Sequence, residues 1–548
     1  MPPQPVFDPV ALRRQFPLLN RHALGYFDSA ATTQKPQVVL DALTQFYGND
    51  NANVHRAAHR LSEQATVAFE RARSVVARFI NAPRSDEIVW TRGTTEGINL
   101  IANTLGNQLQ AGDQVLLTEL EHHANIVPWQ LLAERRNIEI KVAPITADGD
   151  LDLECLQQLL TPKVKLVAIT HVSNALGTLN PVADICRWAH AVGARVLVDG
   201  AQAVAHLPVD VQQLGCDFYA FSGHKVYGPT GIGVLWGRYQ LLDSLPPWQG
   251  GGEMIEQVSF AGNRYQPPPL RFEAGTPATA DAIALACALE FVASLDRTAV
   301  ARHEAGLMRR ATDAINAMPR LRVIGNPRQR IGALSFIAED EHALDLGSFL
   351  DQNGFALRTG HHCCMPLMNA LGLSGTARLS FACYSTTDEL DRLLAALASY
   401  VDPRAAVPTQ PTVSATPLTD ALRTASGRDQ RHSLLMKAGA EPLNQDGDLR
   451  HEANRLHGCT SQVWLRSYGP DGQGRLHFAI DSDARIIRGL IRLLLETLQD
   501  CTPAQLLQFD FERHLNQLGL AAQLSSSRTS GAKAIVTAMQ AAAKQHQT

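Results

Sequence analysis

Residues 195–225 read RVLVDGAQAVAHLPVDVQQLGCDFYAFSGHK, and the fold follows from how this stretch divides. Val196-Leu197-Val198 is a short apolar run bounded by Gly193 and Gly200, so it reads as a buried strand ending on Asp199. A second apolar run, Phe218 to Phe221, delivers Ser222-Gly223-His224-Lys225. Open α/β sheets place their ligands at the carboxyl ends of strands. A lysine there beside an aspartate meets two needs of pyridoxal 5'-phosphate: an amine to carry the cofactor, and a carboxylate to keep its pyridine nitrogen protonated. Alone, Lys225 would read as a solvated surface group. The pair, the two strand ends and the Ser-Gly-His lead-in favour the functional reading.

Outward from this stretch the same rhythm continues. Strands are predicted over residues 87–90, 114–118, 138–142, 164–170 and 232–236, alternating with helical segments. One of these helices carries apolar positions Ala65, Ala68, Phe69, Ala72, Val75, Val76, Phe79 and Ile80 at helical spacing. This βαβ alternation predicts an α/β fold, a mainly parallel sheet covered on both faces. After about Asp281 the pattern turns helical and then includes strands over 333–337 and 377–382, which predicts a smaller α+β domain joined by the N-terminal segment. Between the strand at 87–90 and the next helix, Arg92-Gly93-Thr94-Thr95-Glu96-Gly97 offers free N–H groups, hydroxyls and a positive helix end to a phosphate. The plainer reading is that Thr94 or Thr95 caps the helix.

Other residues have two readings each. His122 and His123 follow a strand directly, where a histidine would stack on a pyridine ring and shuttle protons, or simply bond within a loop. In Arg358-Thr359-Gly360-His361-His362-Cys363-Cys364, a cysteine flanked by histidines and a cation is a candidate thiolate nucleophile, although a lone cysteine is usually inert core. Adjacent cysteines are poor tetrahedral chelators, so no metal site is expected. Arg378 on a predicted strand suits a substrate carboxylate, the alternative being a solvated arginine.

Composition bounds the function classes. The 548 residues are 45% hydrophobic and 19% charged with net charge -4, which gives no sign of nucleic-acid or anionic-membrane binding. No eighteen-residue apolar run spans a bilayer, and MPPQPVFDPVALRRQFP lacks a signal peptide's apolar core. Nine cysteines without C-x-x-C pairs argue against a zinc site or disulfide framework and for a cytoplasmic location. Residues 402–418, DPRAAVPTQPTVSATPL, read as a proline-stiffened linker. Beyond it a hairpin, SQVWLRS–YGPDGQG–RLHFAID, is followed by helices over 484–498 and 530–545. Cys459 opens that hairpin as a loop thiol.

Residues from about 7 to 402 resemble the Suf-type, group II cysteine desulfurases, which are fold-type I pyridoxal-phosphate enzymes. The stretches that carry this are YFDSAATTQKP, NANVHRAAHRLSEQAT, RGTTEGIN, EHHANIVPWQ, THVSNALGT, VLVDGAQAV, FSGHKVYGPTGIG, FEAGTPAT and RTGHHC. Residues from about 417 to 548 are similar to the SufE family of sulfur acceptors through HGCTSQVW, IDSDA, a GLI helix and SSSRTSG. The implied organisation is a desulfurase over 1–403, with its large domain over about 21–285 and its small domain over about 1–20 and 286–403. A linker over 404–416 and an α+β SufE-like domain over 417–548 complete it.

The resemblance implies roles residue by residue. Lys225 would hold the cofactor; Asp199, Gln202 and Asn174 would address its ring; Thr94, Thr95, Ser222 and His224 its phosphate. Thr276 would reach the phosphate of a neighbouring subunit in a homodimer. His123 would stack on the ring and assist proton transfer, and Arg358 and Arg378 would take the substrate carboxylate. Cys363 would form the persulfide and Cys459 would accept it. The implied reaction turns L-cysteine into L-alanine and sends persulfide sulfur to scaffold proteins of iron–sulfur cluster assembly. Alternatives are a selenocysteine lyase acting on L-selenocysteine, or a desulfurase whose last domain only docks or regulates. Members of the family usually have alanine after the nucleophile; Cys364 stands there instead, as a bystander, a resolving thiol or a rival sulfur.

Overall fold

The computed structural model describes residues 7–55, 58–401, 417–440, 443, 448–456, 461–521, 523–524 and 526–546. Cys459 and the linker over 404–416 lie outside the described residues. The chain divides into two compact units, one of Met1–Ile337 with Gly354–Leu397, the other of Ala338–Asn353 with Ala398–Thr548.

The first unit is built on a seven-stranded sheet. In chain order its strands are β1 (Ile88–Thr91), β2 (Gln114–Thr118), β3 (Glu139–Ala143), β4 (Val164–Thr170), β5 (Arg195–Asp199), β6 (Phe218–Ser222) and β7 (Gly233–Gly237). Across the sheet they run β1-β7-β6-β5-β4-β2-β3. β3, β2, β4, β5 and β6 are parallel, while β7 runs antiparallel to both neighbours. Alternating side chains explain why these strands read as unbroken apolar runs. Val167, Ile169, Val196 and Val198 enter the core on one face, and Leu166, Ala168 and Leu197 the core on the other. On the first face lies the helix α1 (Arg60–Phe79), which contributes Ala65, Phe69, Ala72, Val75 and Val76; on the second lies α2 (Thr94–Asn103), which buries Ile98, Leu100 and Ile101.

A smaller sheet follows in the order β8 (Leu321–Val323), β9 (Ala333–Ala338), β11 (Thr376–Ser380), β10 (Arg358–Gly360). The N-terminal segment is stitched to it: the Ser380 N–H donates to Phe27 O at 2.7 Å, and Asp28 bridges to Ser380. Phe16 from the same end packs edge-on against Tyr384, with ring centroids 4.7 Å apart.

The second unit has its own core. The antiparallel pair β12 (Val463–Tyr468) and β13 (His477–Ser482) packs with helices α4 (Arg485–Leu498) and α5 (Ser526–Gln545), counting α3 as Ala343–Gln352. Buried Ile487, Leu490, Leu494, Ile535 and Met539 interlock there. The residue before α4, Ala484, offers no capping side chain; instead Asp345 of α3 accepts from the N–H groups of Arg485 (2.8 Å) and Ile486 (3.2 Å). No helix among the described residues is long and apolar enough to cross a membrane.

Candidate active site

The carboxyl ends of the parallel strands open onto a cavity of about 240 Å³. Lys225 reaches its wall one turn after β6, and Asp199 does so from the last position of β5. Asp199 is buried and Lys225 half-buried. Burial pushes the Lys225 amine below its ordinary value against the pull of Asp199, and pushes the Asp199 carboxyl up against the pull of Lys225. The Ala201 N–H donates to Asp199 at 2.9 Å and fixes its rotamer. Gly200 is forced by packing, since a Cβ there would sit 2.0 Å from the Tyr219 ring.

One end of the cavity is the start of α2. Its N-cap is Gly93, which caps nothing, so neither threonine serves as the cap that the plainer reading expects. The Thr94 N–H donates to Ser222 Oγ at 2.9 Å, and the two hydroxyls lie 2.8 Å apart. A Cβ on Gly233 would come within 2.5 Å of Gly93 Cα, so the two backbones meet only because both residues are glycine. Thr95 and His224 also line the cavity. The His224 carbonyl accepts from the Thr33 N–H at 3.0 Å and from Lys35 Nζ at 3.2 Å, which pins the peptide leading into Lys225. Gln202 faces the cavity with its Nε2 donating to Ala30 O at 2.8 Å.

At the other end sit the arginines. Arg358 and Arg378 are register partners on β10 and β11, and both bond Asp28. Arg378 is fully buried, with Nη1 donating to Asn174 O at 2.8 Å and its Nε left without a partner.

The Cys363 loop is tied at many points. His362 (φ 53°) and Cys363 (φ 56°) are consecutive non-glycine residues in the left-handed region, which costs about 1–3 kcal/mol each. Cys363 O accepts from the His123 N–H at 2.7 Å, and the Cys363 N–H donates to His361 Nδ1 at 3.0 Å. Asn174 Nδ2 donates to His362 O at 2.8 Å. Cys363 is half-buried on the cavity wall, whereas Cys364 turns away and is fully buried. Burial pushes the Cys364 thiol up to about 12, and its Sγ donates to Asn174 Oδ1 at 3.0 Å. A protonated, enclosed thiol is a packing and hydrogen-bonding group.

One expected site residue stands elsewhere. The imidazole on the cavity wall belongs to His122, not His123. His123 stacks on His361 at 5.5 Å, and its Nε2 accepts from the Met365 N–H at 3.0 Å, so its ring braces the Cys363 loop. Burial, reinforced by Lys225, pushes His122 down to about 3, leaving it neutral at ordinary pH. Thr276, expected to serve a neighbouring subunit, is exposed and outside this chain's own cavity. Asp28 is the residue that sequence reasoning missed: its partners lie 330 and 350 positions away, and no local signal marks it.

Against known protein families, residues 25–393 match the class-V aminotransferases and residues 416–543 match the Fe-S metabolism associated (SufE) domain. A cysteine desulfurase of Dickeya dadantii is 53% identical over 70% of this chain and 95% of its own length. The chain belongs to the class-V aminotransferases, in the cysteine desulfurase family. A crystal structure of the Escherichia coli cysteine desulfurase CsdA superposes with a TM-score of 0.68 at 42% identity, covering 73% of this chain and 98% of that one. A C-DES mutant with glycine covalently linked to its PLP cofactor superposes with a TM-score of 0.61 at 25% identity, over 70% and 98% of the two chains. Pyridoxal phosphate is the cofactor of this desulfurase, and the donor set suits it. A half-buried lysine amine, a buried carboxylate and a hydroxyl-lined helix start share one cavity.

Proposed function

We propose that the desulfurase half converts L-cysteine to L-alanine, holds the sulfur as a persulfide on Cys363, and passes it to Cys459 of the SufE-type half for iron–sulfur cluster assembly. The observation that carries this reading is that Lys225, Asp199, Cys363 and both arginines line one cavity.

When bound, pyridoxal phosphate supplies the electron sink that lets Cα release its proton and the Cβ–S bond break. The rest falls to the chain. Lys225 would carry the cofactor, Asp199 would pair with its ring nitrogen, and Thr94, Thr95, Ser222 and His224 would hold its phosphate. Gln202 and Asn174 would take ring substituents, and His122 would take the role expected of His123. Arg358 and Arg378 grip the substrate carboxylate, which aims the β-carbon and its sulfur at Cys363. Lys225 moves the Cα proton, its burial favouring the neutral amine that can accept one. The Cys363 thiolate attacks the substrate sulfur; an S–S bond forms, the Cβ–S bond breaks, and the carbon fragment is reprotonated to alanine.

Membership of the Suf-type, group II branch is supported by the short, multiply bonded loop around Cys363. A nucleophile so tied needs an acceptor that comes to it, and a covalent tether supplies one at high local concentration. The same reading takes the protein as a cytoplasmic homodimer in which Thr276 serves the neighbouring subunit.

The test is persulfide mapping. After L-cysteine is added to the holoenzyme, alkylation and mass spectrometry should find the extra sulfur on Cys363 and Cys459. Cys363→Ser should empty both positions and Cys459→Ser only its own. Sulfur that never reaches Cys459 would end the relay.

A further inference from the structure

We propose that Asp28 sets the charge preference of the carboxylate site, tuning it to amino acids that bear a single carboxylate. The inference rests on reading Arg358 and Arg378 as the substrate-carboxylate grip.

Arg358 and Arg378 are directly opposed on antiparallel β10 and β11, and like charges so placed repel. One carboxylate reconciles them. Arg358 Nε and Nη2 donate to the two Asp28 oxygens at 3.2 and 3.3 Å, and Arg378 Nη2 donates to Oδ1 at 3.1 Å. Asp28 is held there by backbone: it bridges to Ser380 on β11, and the Ala30 N–H donates to Ser380 Oγ at 2.9 Å.

Position decides what this does. Both arginines line the cavity, and Asp28 does not. The carboxylate therefore backs the guanidiniums and leaves the cavity side of the pair to the substrate. Counting charge at this end gives two cations and one anion. The nearby ring of His362 is buried and pushed well below its ordinary value, so it adds nothing. The site thus presents one net positive charge, which matches one carboxylate. A second carboxylate on the ligand would meet a pair already half-neutralised, and would enter partly desolvated without a counterion.

The experiment uses the holoenzyme with propanoate and succinate as competitive inhibitors against L-cysteine. For the wild type, propanoate should bind more tightly than succinate. Asp28→Asn should move the ratio of the two inhibition constants about tenfold toward succinate, as one unit charge a few ångströms away in a half-solvated setting implies. Asp28→Glu should bring the ratio back. A structural role alone would weaken both inhibitors together, so an unmoved ratio in Asp28→Asn overturns the proposal. If Asp28→Asn does not fold or load cofactor, the wild-type constants still decide, because succinate binding as tightly as propanoate is fatal. Arg378→Lys separates the underlying reading: propanoate inhibition unaffected by that change would remove the carboxylate grip itself.

Discussion

Arg358 and Arg378 stand in register on adjacent antiparallel strands, two guanidiniums sharing the single carboxylate of Asp28. The arrangement is stable because the fully buried Arg378 is paired and also donates to a backbone carbonyl. Lysine cannot reproduce two directed donors from a planar fork. Arg378→Lys should raise KM for L-cysteine about tenfold or more, since hydrogen bonds to charged groups contribute about 1.5–3 kcal/mol each. Steady-state kinetics checks this; an unchanged KM removes Arg378 from substrate binding.

The two adjacent histidines should separate cleanly. His122→Ala should lower kcat by about a hundredfold or more, the range for a positioned proton-transfer group. His123→Ala should loosen the Cys363 loop and cost less. Equal losses from the two variants would contradict the assignment of the cavity-facing ring.

Vicinal thiols with opposite surroundings should react differently. Native protein treated with iodoacetamide should be modified at Cys363 and spared at Cys364, whose pKa is pushed up to about 12 by burial. Cys363→Ser should abolish sulfur release from L-cysteine, while Cys364→Ala should keep most of it. Peptide mapping that finds Cys364 modified first would reverse the roles.

Acid should destabilise the first unit in a specific window. Burial pushes His122 down to about 3, His171 to about 4 and His224 to about 4. Unfolded histidines titrate near pH 6.5, so these three contribute stability that is present above that value and lost as pH falls toward 4. Glu121 works the other way. Its carboxyl is pushed up to about 8 by burial, so its contribution is complete below about pH 4.5 and lost as pH rises through 8. Thermal unfolding should show Tm falling from pH 6.5 to 4.5, and Glu121→Gln should steepen the fall. A Tm indifferent to pH in that range would refute the balance.

In the second unit, Asp345 supplies the cap that α4 lacks in its own sequence. Asp345→Ala should cost about 1 kcal/mol, and the amides of Arg485 and Ile486 should exchange faster with solvent. Exchange at wild-type rates would show the cap to be dispensable.

Much of this protein is legible in one dimension because parallel strands buried on both faces are continuous apolar runs. The runs ending at Thr118, Thr170 and Asp199 are found at those bounds. That Cys363, Lys225 and Asp199 belong together was likewise visible, since each sits at a strand or turn end whose local chemistry is distinctive, and all three line one cavity. What the string of residues could not settle was direction and distance. Whether His122 or His123 meets the cavity depends on the turn that follows β2, and whether Cys363 or Cys364 is open depends on two left-handed residues in a row. Asp28 lay in a turn of small residues and acquired meaning only when folding brought it between two arginines more than three hundred positions away. Sequence alone determines the strands, the candidate cofactor lysine and the order of the parts, because those rest on local periodicity and short motifs. Tertiary structure decides which neighbour faces the cavity and which charges share it, because electrostatic pairing falls off with distance in space and takes no account of distance along the chain.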